Sequence, residues 1–213
     1  MREIFEAELK QLGDDLVTMS RQVEVAVQQA GTALLTGDVP LAESVIVADG
    51  AIDAIERDLD ERCVLMIAQQ APVATDLRVV ISALRMSATL ERMGDLARHV
   101  AEVARGRYPR SAVPQALSGT FTEMHEAATR VAQRTTQVLE TRDLDMAQSI
   151  ERDDDLLDRL HEDTFTALLG GNWSGTPQET VDVTLLGRYY ERFADHAVSV
   201  ARRVVYLVTG EKP

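Results

Sequence analysis

Apolar residues recur every three or four positions along most of this chain, which is the spacing of one face of an α-helix. One stripe of this kind runs through Leu41, Val45, Ala48, Ile52, Ile55 and Leu59. Another runs through Leu186, Tyr190, Phe193, Ala197, Val200, Val204 and Leu207. Few stretches alternate with a period of two, as half-buried strands do. The pattern therefore predicts an all-α protein.

Prolines and glycines divide the chain into long segments that contain neither a clear break nor a strand pattern. These segments predict helices at 3–35, 40–70, 73–105, 118–140, 143–170 and 177–208. The break between the fourth and fifth helices is marked only by Thr141 and Asp143, either of which can cap a helix start. Long amphipathic helices with short connections favour antiparallel packing in a bundle.

The chain also contains an internal repeat. Residues 91–97 read ERMGDLA, and residues 191–197 read ERFADHA. A second match, in the same order, sets Thr36, Asp38, Ala42, Ser44, Asp49 and Asp53 against Thr141, Asp143, Ala147, Ser149, Asp154 and Asp158. This is the signature of a duplicated unit. We therefore expect two tandem three-helix bundles, the first over 1–106 and the second over 118–213, with a linker at 107–117.

Composition narrows the class of protein. The 213 residues include 35 Asp and Glu against 22 Lys and Arg, a net charge of −13, and one Cys. A nucleic acid would repel such a surface, and a single Cys cannot form an internal disulfide or a four-thiolate zinc site. The sequence has no apolar run of membrane-spanning length and no basic-then-apolar leader, so we expect a cytoplasmic protein without membrane insertion.

Both copies of the repeat carry acids spaced four residues apart. The pairs are Asp49 with Asp53, Glu91 with Asp95, Asp154 with Asp158, and Glu191 with Asp195. Such neighbours on a helix repel each other, at a cost of about 0.2–0.5 kcal/mol per pair. Helical geometry places them on a flank or outer face rather than in the core. If the second and third helices of each unit are adjacent, their pairs can meet in one patch of four carboxylates.

Two interpretations of these pairs stay open. They can form a solvated acidic face balanced by Arg57, Arg92, Arg188 and Arg192, or they can form a metal site or ionic interaction surface. Oxygen ligands suit Mg²⁺, Mn²⁺, Ca²⁺ or ferric iron. The sequence has no phosphate-binding loop, nucleophile elbow, dinucleotide motif or paired Glu-x-x-His motif, so we do not expect an enzyme. Two alternative functions stay open beside a non-enzymatic metal-binding protein. One is a carboxylate-bridged metalloenzyme, and the other is a metal-free helical adaptor.

The two acid-containing motifs at 91–95 and 191–196 resemble those of the PhoU family, regulators of high-affinity phosphate uptake. Residues 71–78 (APVATDLR) and 205–210 (VYLVTG) support the resemblance, which runs from the first helix to Gly210. The resemblance implies two three-helix bundles and no enzymatic turnover. It also implies metal clusters of iron, zinc, manganese or magnesium, held here by Asp49, Asp53, Glu91, Asp95, Asp154, Asp158, Glu191 and Asp195.

The function that the resemblance implies is repression of phosphate uptake and of the phosphate-starvation response when phosphate is plentiful. The partners it implies are a membrane sensor histidine kinase and the ATPase subunit of the phosphate ABC transporter, with the protein itself a homodimer. We hypothesise that metal ions on the acidic faces mediate docking, because bound cations convert a repulsive anionic surface into a bridging one.

Overall fold

A computed structural model describes residues 2–211 of the chain, so Met1, Lys212 and Pro213, at the ends of the two predicted domains, lie outside it. Within residues 2–211 there are six long α-helices, one short 3₁₀ turn and no strand. The helices are α1 (Arg2–Thr36), α2 (Val39–Gln70), α3 (Ala74–Arg107), α4 (Ser118–Thr141), α5 (Leu144–Leu169) and α6 (Pro177–Thr209). The predicted all-α fold, with its duplicated three-helix unit, is confirmed.

Capping residues set the helix starts that the sequence indicated. Asp38 accepts a hydrogen bond from the backbone N–H of Leu41 at the start of α2. Asp143, its counterpart in the repeat, accepts from two backbone N–H groups at the start of α5. Because each cap satisfies amides that the first helical turn leaves unpaired, even the weakly marked break at 141–143 is a true helix boundary.

The packing of the helices follows the repeat. Helices α1, α2 and α3 contact one another, as do α4, α5 and α6. The two units meet where α1 packs on α4 and α3 packs on α6. Helices α2 and α5 therefore lie on the outer sides, and each unit has a seam where its second helix meets its third.

The hydrophobic core is continuous with the predicted stripes. In α6, Leu186, Tyr190, Phe193, Ala197, Val200 and Val204 are all buried. In α2, Val45, Ile52 and Leu59 are buried as well, whereas Ala48 of the predicted stripe is exposed. Each large apolar side chain removed from water stabilises the fold by about 1.5–3 kcal/mol.

The segment between the two units packs on the core as well. A 3₁₀ turn at Gln115–Leu117 precedes α4, and the side chains of Ala112, Val113 and Leu117 are buried. The last residue of α3, Arg107, falls inside the predicted linker at 107–117. None of the helices within residues 2–211 is long and apolar enough to cross a membrane.

Candidate functional site

The eight predicted acids lie on the two seams, four on each. We call Asp49 and Asp53 on α2 with Glu91 and Asp95 on α3 the first cluster. We call Asp154 and Asp158 on α5 with Glu191 and Asp195 on α6 the second cluster. In both clusters the charges of one helix act on carboxyl groups of the other, so the repeat brings four carboxylates together in each unit.

An arginine lies inside the first cluster. Arg98 on α3 donates from Nε to Asp49 at 2.6 Å and from a terminal nitrogen to Asp95 at 2.6 Å. Its other terminal nitrogen donates to Glu102 at 2.7 Å. Arg92 adds a second, more exposed contact to Asp95 at 3.1 Å. The first cluster therefore contains its own cation, which joins α2 to α3.

Burial and charge act in opposite directions on this network. Burial raises the pKa of Asp49 above its ordinary value, and the hydrogen bond and charge of Arg98 offset part of that rise. Burial alone would lower the pKa of Arg98, but its hydrogen bonds to the acids raise it instead. Arg98 and its acids therefore stabilise each other's charged forms.

Asp49 corrects the expectation that every pair faces solvent. Asp49 is only 8% exposed, because α3 and the Arg98 guanidinium cover it. The other seven acids are partly or fully exposed, as helical geometry predicted. Asp49 is buried because the neighbouring helix α3 covers this flank of α2, a contact that the apolar spacing within α2 does not record.

The second cluster lacks such a cation. Val198 stands in the repeat where the first unit has Arg98, and it is buried. Among residues 2–211, no Lys or Arg forms an ion pair with Asp154, Asp158 or Asp195, and only Arg188 pairs with Glu191. One carboxylate oxygen each of Asp154 and Glu191 is buried without a hydrogen-bond partner.

The uncompensated charge changes the acidity of the second cluster. Burial, followed by the charges of Asp158, Asp195, Asp155 and Glu191, raises the pKa of Asp154 to about 6. Burial also raises the pKa values of Asp158 and Glu191, which Arg188 partly opposes at Glu191. Asp154 is the repeat counterpart of Asp49, so the two equivalent positions differ in whether a cation is present.

Asp153, next to Asp154, shows what a neutralised acid looks like on the same helix. Its buried carboxylate pairs with Arg134 and, at 3.5 Å, with Arg130, both on α4. The seam with α4 thus supplies arginines to α5, whereas the seam with α6 leaves the second cluster anionic. The charge of the second cluster is therefore a property of that seam and not of α5 as a whole.

The two clusters differ in how well they suit a metal ion. The second cluster supplies hard oxygen ligands, two of them buried and unpartnered, and this chemistry fits Mg²⁺, Mn²⁺ or an iron ion. In the first cluster the Arg98 guanidinium already occupies the position between the acids. Within the described residues, no three His, Cys, Asp or Glu side chains are positioned to hold one ion. Metal binding at the eight acids stays a prediction.

Arg98 is not among the arginines that the sequence predicted as partners of the acids. Of the four that were predicted, Arg92 and Arg188 pair with cluster acids, and Arg57 and Arg192 form no ion pair within residues 2–211. Arg98 reaches an acid 49 residues earlier in the chain, and that contact depends on the packing of α2 on α3. The repeat did indicate that the two clusters differ in charge, because Arg98 and Val198 stand at matched positions.

A search against protein families matches the PhoU domain twice, at residues 16–104 and 121–204. The chain is similar to the phosphate-specific transport system accessory protein PhoU homolog 2 of Mycobacterium tuberculosis, at 41% identity over the full length of both proteins. It is also 36% identical to PhoU homolog 1 of that organism, covering all of this chain and 96% of the relative.

Solved structures have the same architecture. The crystal structure of PhoU from Pseudomonas aeruginosa superposes with a TM-score of 0.85 at 30% identity, covering 97% of this chain and 100% of that one. PhoU from Streptococcus pneumoniae gives a TM-score of 0.86 at 23% identity, covering 98% of this chain and 99% of that one. The second likeness, at lower identity, concerns the fold alone.

Proposed function

The chain belongs to the PhoU family, and we propose that it represses phosphate uptake and the phosphate-starvation response when phosphate is plentiful. The observation that carries the proposal is the full-length similarity to proteins named as accessory proteins of the phosphate-specific transport system. Both units of the repeat take part in that similarity, so the proposal concerns the whole chain.

Binding to other proteins, rather than catalysis, is the proposed mode of action. The partners are the membrane sensor histidine kinase and the ATPase subunit of the phosphate ABC transporter, contacted from the cytoplasm by a homodimer. The acidic seams support a docking role, because most of their carboxylates remain accessible to a partner. Charged surfaces of this kind select partners and speed association more than they add affinity.

Metal binding belongs to the same proposal, and we assign the main metal site to the second cluster. Asp154, Asp158, Glu191 and Asp195 would hold the ion, whose positive charge would offset their mutual repulsion and attract anionic groups on a partner. The support is the pair of buried, unpartnered oxygens on Asp154 and Glu191. At the first cluster an ion would first have to displace Arg98 from Asp49 and Asp95.

The test is complementation of a strain that lacks the gene. In phosphate-rich medium the deletion should raise both phosphate uptake and the expression of phosphate-starvation genes, and the wild-type chain should restore repression. A chain with Asp154→Asn and Asp158→Asn should restore it less well. A chain with Glu123→Gln and Glu126→Gln, which changes two exposed acids on α4, is the control for lost charge.

Capture of partners at high and low phosphate complements the genetic test. The sensor kinase or the transporter ATPase should be recovered with the wild-type chain and recovered less with the Asp154→Asn/Asp158→Asn variant. Unchanged uptake and gene expression in the deletion strain would refute the proposed function. Full complementation by the variant would instead support the proposed function and show that the second cluster is not needed for it.

A further inference from the structure

A pocket lined by unpaired arginines lies between the two units, away from both acidic clusters. It is formed by the N-terminal half of α3 and the C-terminal end of α6, and it has a volume of about 690 Å³. Its lining residues are Ala74, Leu77, Arg78, Ile81, Arg85, Arg203 and Tyr206. We call it the arginine pocket.

The charge of this pocket is opposite to that of the protein as a whole. Arg78, Arg85 and Arg203 form no ion pair with any Asp or Glu within residues 2–211. No acid is among the lining residues either. A chain with 35 acids and a net charge of −13 thus leaves three guanidinium groups around one opening without an internal counter-ion.

Two of these arginines also repel each other. Burial lowers the pKa of Arg203 below its ordinary value, and the nearby charge of Arg85 lowers it further. Arg203 is on α6 and Arg85 on α3, so the packing of the two units brings the like charges together. An anion placed between them would relieve this repulsion.

Two of the three guanidinium groups contact the same aromatic ring. The guanidinium carbons of Arg78 and Arg203 lie 5.3 Å and 5.8 Å from the centre of the Tyr206 ring. A cation at this distance from an aromatic face is attracted by the quadrupole of the ring. Tyr206 therefore serves as a shared platform that limits the rotamers of both arginines.

The end of α6 also positions Arg78. Gly210 caps the helix with a positive φ of 78°, and its N–H bonds to the carbonyl of Tyr206. A Cβ at Gly210 would lie 2.8 Å from a terminal nitrogen of Arg78. Glycine therefore provides both the left-handed backbone and the space that Arg78 occupies.

Phosphate is the anion that this arrangement suits best. The planar fork of a guanidinium donates two parallel N–H groups, which match two oxygens of a phosphate. The volume of the pocket falls within the range of about 300–1,000 Å³ that small-molecule sites occupy. Ala74, Leu77 and Ile81 add an apolar wall that can contact the carbon atoms of an ester.

We propose that the arginine pocket binds a phosphate group, carried either by inorganic phosphate or by a small phosphate ester. The proposal goes beyond the regulatory function, since binding by the purified chain can be measured whether or not the chain represses uptake. It is also independent of metal at the acidic clusters, which lie on the seams of α2 with α3 and α5 with α6.

The experiment is calorimetric titration of the purified full chain, freed of metal and phosphate, with inorganic phosphate and, separately, with glucose 6-phosphate. We expect saturable binding of at least one probe, weakened at least tenfold by Arg85→Gln combined with Arg203→Gln. Tighter binding of inorganic phosphate would identify the free ion as the ligand, and tighter binding of glucose 6-phosphate would identify an ester.

Matched controls make the result specific to the pocket. Arg105→Gln removes an exposed arginine from the same helix, α3, and should leave binding unchanged. Asp154→Asn with Asp158→Asn should also leave it unchanged, which separates the pocket from phosphate held through a metal. Circular dichroism and thermal melting would establish that each variant is folded. No saturable binding of either probe, or equal binding by the Arg85→Gln/Arg203→Gln variant, would overturn the proposal.

Discussion

Arg98 donates a 2.6 Å hydrogen bond to the buried carboxylate of Asp49, and this bond has no counterpart in the second unit. There Val198 replaces the arginine, and Asp154, the counterpart of Asp49, keeps one buried oxygen without a partner. Two copies of one structural unit thus differ in the source of positive charge for their acids. The first has Arg98 as an internal cation, and within residues 2–211 the second has no equivalent.

Removing the internal cation should destabilise the protein. Arg98→Met keeps most of the apolar side-chain volume but leaves Asp49 buried without its charged donor. Hydrogen bonds to charged groups contribute about 1.5–3 kcal/mol each, so we expect the free energy of unfolding to fall by about 2 kcal/mol. Urea unfolding near neutral pH measures this. Arg92→Met, which removes a more exposed arginine at 63% side-chain exposure, is the control and should have little effect. Equal stability of Arg98→Met and wild type would contradict this role.

Another buried ion pair, formed by α3 and α6, joins the two units. Arg107 at the end of α3 donates from Nη2 to Asp182 on α6 at 2.7 Å and from Nε to its other oxygen, and Asp182 is 1% exposed. Breaking a buried pair leaves an uncompensated charge and costs about 3–5 kcal/mol. We expect Arg107→Gln to lower the free energy of unfolding by about 3 kcal/mol. This value is at the lower end of the range because Arg107 is partly exposed.

Urea unfolding of Arg107→Gln beside Arg105→Gln tests this contribution. Both variants remove an arginine from the last turn of α3, but Arg105 is exposed and forms no ion pair within residues 2–211. A loss of stability as small as that of Arg105→Gln would show that the pair between the units contributes little. Asp182→Asn should recover part of the loss when combined with Arg107→Gln, because it removes the uncompensated charge.

His125 should make stability depend on pH. Its ring packs against α1 at Gly31, and its Nδ1 is buried without a hydrogen-bond partner. Burial lowers its pKa below the ordinary value of 6.5, an effect that the charge of Glu126 only partly opposes. The unfolded chain therefore binds a proton more readily than the folded chain, so this residue costs stability as the pH falls below about 6.5.

Unfolding free energies of wild type and His125→Leu, measured at several values between about pH 5 and pH 7.5, isolate the effect. The acids with raised pKa values act in the opposite direction, but they are common to both proteins and cancel in the difference. We expect the stability of wild type relative to His125→Leu to decline with decreasing pH. A difference that stays constant over this range would show that His125 titrates alike in the folded and unfolded chains.

The sequence was sufficient for the helices because the signals that set them are local. Asp143 caps α5 through amides two and three residues away, and Thr176 and Glu179 form a capping box at the start of α6. The apolar stripe from Leu186 to Val204 likewise depends on spacing within one helix. Periodicity and capping residues record such features directly, which is why the predicted boundaries fall within two residues of the observed ones.

Contacts between helices were predictable only where the repeat recorded them. The sequence predicted that four acids meet in each unit only if its second and third helices are adjacent, and the packing of α2 on α3 and of α5 on α6 meets that condition. Arg98 reaching Asp49 depended on a packing contact that no local pattern describes. The arginine pocket could not be predicted from the sequence for the same reason. Arg85 and Arg203 are more than a hundred positions apart in the sequence, and they come together only because α3 packs on α6.

Metal content after purification without chelators, followed by dialysis, tests the central claim that the second cluster is the metal site of this protein. Elemental analysis should find stoichiometric metal in the wild-type chain and in the Asp49→Asn/Asp53→Asn variant. The Asp154→Asn/Asp158→Asn variant, with the same change at matched positions of the repeat, should have lost it. A wild-type chain without metal, or a loss confined to the first-cluster variant, would contradict the account.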